Sequence, residues 1–144
     1  MQIRPFDPND EPAVIALWGR CGLTRPWNDP HKDVRRKLAV RPDWFLVAET
    51  AGAVVGTVMV GYDGHRGWVY YFGVEPAHRR RGIGRALMAE AERLLRAEGC
   101  PKINLQVRAG NTNAIEFYRG LGFAPDEVVS FGKRLEHDGP GPGN

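Results

Sequence analysis

Tyr70-Tyr71-Phe72-Gly73-Val74-Glu75-Pro76-Ala77-His78-Arg79-Arg80-Arg81-Gly82-Ile83-Gly84-Arg85-Ala86-Leu87 is the stretch on which the fold turns. Residues 68–74 are almost wholly apolar or aromatic, the composition of a strand buried on both faces. Beyond the arginines, Ile83, Leu87, Ala91, Leu94 and Leu95 recur at helical spacing as far as Gly99. That pattern predicts an amphipathic helix over 85–98 with a glycine stop. A buried strand therefore runs into a glycine loop, and the loop opens a helix. The first turn of any helix carries backbone N–H groups without partners and the positive end of the helix dipole. It is a ready anion site. Here Gly82 and Gly84 let the backbone come close, and Arg79, Arg80 and Arg81 add charge.

Upstream, residues 2–6 alternate as a short strand. Asp7-Pro8-Asn9-Asp10 supplies turn and capping oxygens for a helix whose inner face is Ala13, Val14, Leu17 and Trp18, ended at Cys21-Gly22. Leu23-Thr24-Arg25-Pro26-Trp27-Asn28 reads as a loop, and Asp29-Pro30 opens a second helix with Val34 and Leu38 inward. Strands are expected at 44–49 and 54–60, joined by the turn Thr50-Ala51-Gly52 as a hairpin. Gly61-Tyr62-Asp63-Gly64-His65-Arg66-Gly67 then loops into the central strand. Downstream, a strand is expected at 102–107, a turn at Ala109-Gly110-Asn111, a short helix at 113–119 and a last strand at 128–135. The order β-α-α-β-β-β-α-β-α-β describes one mixed α/β domain over 1–136. Its sheet is largely antiparallel, with one parallel pair formed by the strands at 68–74 and 102–107. The Gly- and Pro-rich residues 137–144 read as a disordered tail.

The 144 residues are 42% hydrophobic, with formal charge +3. The sequence pI is about 9.1. That mild basicity fits a solvated surface or an anionic small molecule as well as nucleic acid. No apolar run reaches the roughly 20 residues of a membrane span. Met1-Gln2-Ile3-Arg4-Pro5-Phe6 lacks the apolar core of a signal peptide, so the cytoplasm is the expected compartment. Cys21 and Cys100 stand outside any CxxC motif or His cluster, so reduced thiols and no metal site are expected. Among anion-binding motifs, G-x-G-x-x-G fails at Leu87, and the Gly-Lys-Ser/Thr of a Walker A loop is absent.

Arg79-x-x-Gly82-x-Gly84, preceded by Val74-Glu75-Pro76, resembles the pyrophosphate loop of the GNAT acetyltransferases, written Q/R-x-x-G-x-G/A. Asn111-Thr112-Asn113-Ala114-Ile115-Glu116-Phe117-Tyr118 followed by Gly120-Leu121-Gly122-Phe123 looks like that family's C-terminal signature. The resemblance runs from Ile3 to about Leu135. The segments at 25–30 and 61–67 resemble more specifically the small bacterial YpeA-type acetyltransferases. It implies a GNAT fold with a splayed parallel pair, acetyl-CoA as cosubstrate, an amine acceptor and no metal. Backbone amides of Arg80, Arg81, Gly82, Ile83, Gly84 and Arg85 would hold the coenzyme A pyrophosphate, with Arg79 beside them. Phe72 and Val74 would offer backbone groups to the pantetheine arm, and an N–H near Phe72 would polarise the thioester carbonyl. Asn111 would hydrogen-bond the pantetheine, and Tyr118 would be the catalytic acid that protonates the departing thiolate. Dimers are common in the family, which allows a homodimer, although no residue here marks an interface.

Each of these residues also has a plainer use. The arginines can be solvated charge, Asn111 a turn residue, and Tyr70, Tyr71, Phe72 and Tyr118 ordinary packing aromatics. In the related N-terminal alanine acetylases a glutamate precedes the Asn turn as general base, whereas Gln106 occupies that place here and cannot take a proton. Glu75, Asp63, His65, Tyr70 or a relayed water are the remaining candidates, and Trp27 is expected in the acceptor wall. The expected reaction is direct acetyl transfer to a primary amine of a small molecule, a protein N-terminus or a lysine. A non-catalytic acyl-CoA sensor of the same fold is the alternative. Nucleic-acid binding is disfavoured because the arginine run lacks interleaved aromatics.

Overall fold

The computed structural model describes residues 1–140. Asp7 opens the helical region with a capping box, its carboxylate accepting from Asn9 N–H while Asp10 reaches back to Asp7 N–H. Asp29 caps the second helix through the N–H groups of His31 and Lys32, with Pro30 at its first position. The elements are β1 (Gln2–Pro5), α1 (Glu11–Arg20), α2 (Pro30–Leu38), β2 (Phe45–Thr50), β3 (Ala53–Tyr62), β4 (Gly67–Val74), α3 (Ile83–Ala97), β5 (Ile103–Asn104) and α4 (Thr112–Gly120). The sheet runs β1-β2-β3-β4-β5, antiparallel throughout except for the parallel β4–β5 pair. Pro5 stands on an edge strand, where a missing ladder donor is tolerated.

Period-two alternation sorts the core to both faces of this sheet. Leu46, Ala48, Val58 and Val60 pack with Ile83, Leu87, Met88, Ala91 and Leu95 of α3. Phe45, Val47 and Met59 pack with Val14 and Trp18 of α1, Val34 of α2, and Phe6. Met88 joins the inner face of α3 beyond the apolar positions read from spacing, while Leu94 is only half-buried. No helix among the described residues is long and apolar enough to cross a membrane.

Two strand expectations are corrected. The strand expected at 102–107 pairs with β4 only at Ile103 and Asn104, so the parallel pair separates almost at once. The strand expected at 128–135 is absent. Val128, Val129, Phe131 and Leu135 all stand exposed, Phe131 by 92%, although Val128, Val129 and Phe131 are residue types that favour strands. A strand needs a ladder partner, and β5 offers only two residues of one. In that neighbourhood the Gln106 amide donates to Ser130 Oγ at 2.6 Å. The residues read as a tail lie partly outside the described residues, which end at 140. Within them, Asp138 accepts two bonds from the Arg36 guanidinium (2.7 and 2.8 Å) and one from Asp29 N–H, and Arg134 donates to Asn28.

α3 sits low on the sheet because Gly56 has no side chain. A Cβ there would stand 2.9 Å from Leu87 Cδ1, 3.2 Å from Ile83 Cγ2 and 3.3 Å from the Gly73 carbonyl oxygen. We expect Gly56→Ala to cost about 1–3 kcal/mol by overpacking. Urea unfolding should read this as a lower midpoint at unchanged slope. A midpoint equal to that of the unaltered protein would mean that α3 does not rest on this contact.

Candidate active site

The site is assembled where β4 ends, α3 begins and α4 crosses. Glu75 N–H bonds Val55 O (2.8 Å) and closes the β3–β4 ladder. Pro76–His78 form a single 3-10 turn, and the chain reverses through Arg80 (φ 65) and Gly82 (φ 84) into α3. Gly82 is the N-cap, and its left-handed backbone is one a side chain would resist. Ala86 is the first residue whose N–H turns back into the helix, onto Gly82 O at 3.0 Å. The N–H groups of residues 80–85 have no protein acceptor among the described residues. A Cβ built on Gly82 meets nothing within 4 Å, so the space beside the loop is open. Arg80, Arg81 and Arg85 are exposed around it. The arrangement is a set of free donors at the positive end of a helix of about four turns, ringed by cations. It fits a pyrophosphate.

Arg79 behaves differently. Its Nε donates to the Val74 carbonyl at 3.2 Å, and Cys21 Sγ donates to the same oxygen at 3.3 Å. The Val74 carbonyl is therefore taken, and its N–H is the group left for a ligand. Burial pushes the Cys21 thiol above its usual range, which keeps it neutral and a poor nucleophile.

β4 and β5 are in register only at Gly67–Ile103 and Trp68–Asn104. Past that point the edge of β4 from Phe72 to Val74 has no strand beside it. The aromatics of α4 close over this region. A Cβ at Gly84 would meet Phe117 Cζ at 3.1 Å, Phe72 Cζ at 3.3 Å and Val74 Cγ2 at 3.5 Å, so all four residues converge. Phe72 stands 5.8 Å from both Phe117 and Tyr118 between ring centroids. Burial alone pushes the Tyr118 hydroxyl up to about 12. Tyr118 thus stays protonated across the physiological range, as an acid must. Asn111 is the N-cap of α4, its side-chain oxygen accepting from Ala114 N–H at 3.1 Å. Only its NH₂ is left for a ligand.

The base candidates fare unequally. Glu75 is clamped by Arg20 at 2.6–3.1 Å. Asp63 accepts from Arg66 and His65 N–H, bonds that hold its carboxyl below the usual range and make it a turn cap. Tyr70 is half exposed. Trp27 carries the Arg108 guanidinium over its ring at 5.5 Å, which ties the 24–28 loop to the chain leaving β5. A groove of about 1030 Å³ lies along the outer side of β5 and the C-terminal half of α3. Tyr118 is the one candidate site residue that lines it, so the groove is not the glycine-loop site. Sequence reasoning missed Phe117 as a wall of the site and Cys21 as a partner of Val74. Helical spacing placed Phe117 beside Tyr118, but nothing local announced its contact with Gly84. Among the described residues no group of three His, Cys, Asp or Glu side chains is gathered.

Known proteins share this fold. A family model described as the acetyltransferase (GNAT) family matches residues 12–123. An acetyltransferase of Sodalis glossinidius is 55% identical over 139 residues, covering 96% of this chain and 98% of its own. The crystal structure of Ard1 from Thermoplasma volcanium superposes with a TM-score of 0.74 at 32% identity, over 85% of this chain and 82% of that one. AAC(6')-Iy, solved with the bisubstrate analogue CoA-S-monomethyl-acetylneamine, shares the fold at 20% identity and TM-score 0.74, over 93% and 98% of the two chains. The chain belongs to the GNAT family of acetyltransferases.

Proposed function

We propose that the protein moves an acetyl group directly from acetyl-CoA to a primary amine. The observation that carries the reading is the run of partnerless N–H groups at residues 80–85, beside a parallel strand pair that stops pairing after two residues. The loop amides, with Arg80, Arg81 and Arg85, bind the pyrophosphate. The N–H groups of Phe72 and Val74 face the pantetheine arm, and that of Phe72 is aimed at the thioester carbonyl. The amine lone pair attacks that carbon, the carbon–sulfur bond breaks, and Tyr118 gives its proton to the sulfur. Cys21, neutral and engaged with Val74 O, takes no covalent part. The AAC(6')-Iy structure holds a bisubstrate analogue that joins CoA to an acetylated aminoglycoside fragment, which supports a CoA site in this fold. The acceptor is a small molecule, a protein N-terminus or a lysine. Gln106, bonded to Ser130, cannot take the acceptor's proton, which passes to water as the nitrogen–carbon bond forms, and a proton from solvent restores Tyr118 after the thiol leaves.

Coenzyme A should raise the melting temperature. Ligand at 100 times its Kd adds about 2.7 kcal/mol to the native state, or roughly 5–10 °C for a domain of this size. Thermal shift and calorimetry both silent at millimolar coenzyme A would end this reading. A thiol-release screen across amine classes then identifies the acceptor.

The two loop glycines should respond differently. Gly82→Ala adds a Cβ to a left-handed residue in open space, costing about 1–2 kcal/mol of backbone strain. Because it also stands in the anion cradle, coenzyme A affinity should fall by at least about tenfold, a loss that strain shared by the free and bound protein does not produce. Gly84→Val should lose stability as well as affinity, since its side chain meets Phe117, Phe72 and Val74. Equal responses from the two variants would remove the phosphate role from Gly82.

Tyr118→Phe should lower turnover on the order of 10- to 100-fold with little change in acetyl-CoA binding. Burial places the hydroxyl far above neutrality, so the loss should be uniform between about pH 6 and 10. A variant at full rate, with chemistry rate-limiting, would leave thiolate protonation to water.

A further inference from the structure

β3 and β4 pair in register at Gly56–Val74 and Thr57–Gly73, then resume at Met59–Tyr70. Tyr71 and Phe72 together therefore oppose Val58, which is a β-bulge. Tyr71 takes φ 49, a left-handed backbone that a residue with a side chain holds only when its surroundings compel it. Three contacts do so. Its ring stacks on Trp18 at 3.8 Å, its hydroxyl donates to Asp33 Oδ2 at 2.6 Å, and its carbonyl accepts from Thr57 Oγ1 at 2.8 Å. Thr57 in turn accepts the Trp18 indole N–H at 2.9 Å. It is fully buried, the one charged or hydroxyl-bearing side chain in the core among the described residues.

The bulge changes which way the β4 backbone faces. Gly67 N–H bonds Lys102 O, so Gly67 faces β5, and alternation carries Val69 and Tyr71 to the same side. An unbroken strand would then turn Phe72 toward β3. At the far end, however, Glu75 N–H bonds Val55 O on β3, so Val74 and Phe72 face away from β3. The Val74 carbonyl agrees, since it bonds Cys21 and Arg79 instead of the ladder. The extra residue shifts the phase, and only with that shift does the Phe72 N–H look into the gap where β5 has ended.

We propose that Thr57 is a positioning residue for acyl transfer, holding the bulge in the phase that aims the Phe72 N–H at the donor's thioester carbonyl. This rests on the acetyl-transfer reading above. Thr57 touches neither donor nor acceptor and acts through the Tyr71 carbonyl. Trp18 orients its hydroxyl by filling the acceptor lone pair, which leaves the O–H for Tyr71.

Calorimetry with coenzyme A and acetyl-CoA separates positioning from stability, because only acetyl-CoA carries the carbonyl. The unaltered protein should prefer acetyl-CoA by roughly two- to tenfold, the worth of one hydrogen bond. Thr57→Val and Thr57→Ala should bring that preference close to one while coenzyme A alone binds within about twofold of before. Thr57→Ser, which keeps the hydroxyl, should restore it whatever its melting temperature. A preference that survives in Thr57→Val, or that is lost in Thr57→Ser, overturns the assignment. So does a folded, coenzyme-A-binding parent with no preference at all. A parent that binds neither ligand fails the acetyl-transfer reading first, and this inference falls with it. Should both hydroxyl-free variants fail to fold, the Phe72 amide resonance of the unaltered protein decides. It should move downfield with acetyl-CoA and not with coenzyme A, and a Phe72 resonance indifferent to the acetyl group overturns the proposal.

Discussion

β4 has to satisfy two sides at once. Toward β3 it must complete a ladder, and toward β5 it must leave backbone groups free. One inserted residue reconciles these demands, and the buried pair of hydrogen bonds through Thr57 keeps it there. A left-handed tyrosine in a sheet is costly, so its surroundings must over-determine it. Trp18 does so twice, through its indole N–H and through the face on which Tyr71 stacks. The α1 face of the sheet is thereby coupled to backbone groups at the edge of the candidate site.

The other face of the sheet supplies the charge. α3 can present unsatisfied amides only if its axis is fixed, and Leu87, Met88, Ala91 and Leu95 fix it by burial against β3 and β4. Gly56 lets that helix come close. Its first turn then stands at the end of β4, where Gly84 lies under Phe72 and Phe117. The exposed arginines around the loop contribute through long-range attraction, which salt screens. The amides and the dipole are oriented by the fold before any ligand is present. Such preorganised donors do more per group than mobile side chains.

Several polar residues near the site are already committed. Glu75 belongs to Arg20, Asp63 to its own turn, Asn111 Oδ1 to the start of α4, and Arg79 to the Val74 carbonyl. Tyr118 is the contrasting case, because burial accounts for its whole shift and no hydrogen bond contributes to it. A buried hydroxyl held neutral beside the aromatic wall of Phe72, Phe117 and Phe123 is suited to donate a proton late, when a soft anion has formed.

Local chemistry wrote much of this into the chain. The caps at Asp7 and Asp29, the helix from Ile83, the glycine at a left-handed N-cap and the alternation of β2 and β3 are each settled within a few residues. Periodicity and turn chemistry act at that range, so these elements and the glycine loop were legible without coordinates. The signature around Tyr118 was legible only through its resemblance to the family. The bulge was not, because its cause is a bond between Trp18 and Thr57, 39 residues apart. Residues 102–107 carry the alternation of a strand and 128–135 several strand-favouring residues, yet a strand exists only where another edge accepts its hydrogen bonds, and β5 pairs for two residues. Which acids pair with arginines, and which carbonyls are already taken, likewise depended on what distant segments brought near. The sequence by itself determined the order of elements as far as α4 and the place of the glycine loop. The tertiary structure alone decided the phase of β4 and the opening beside it, since hydrogen-bond partners are chosen by proximity in space and not along the chain.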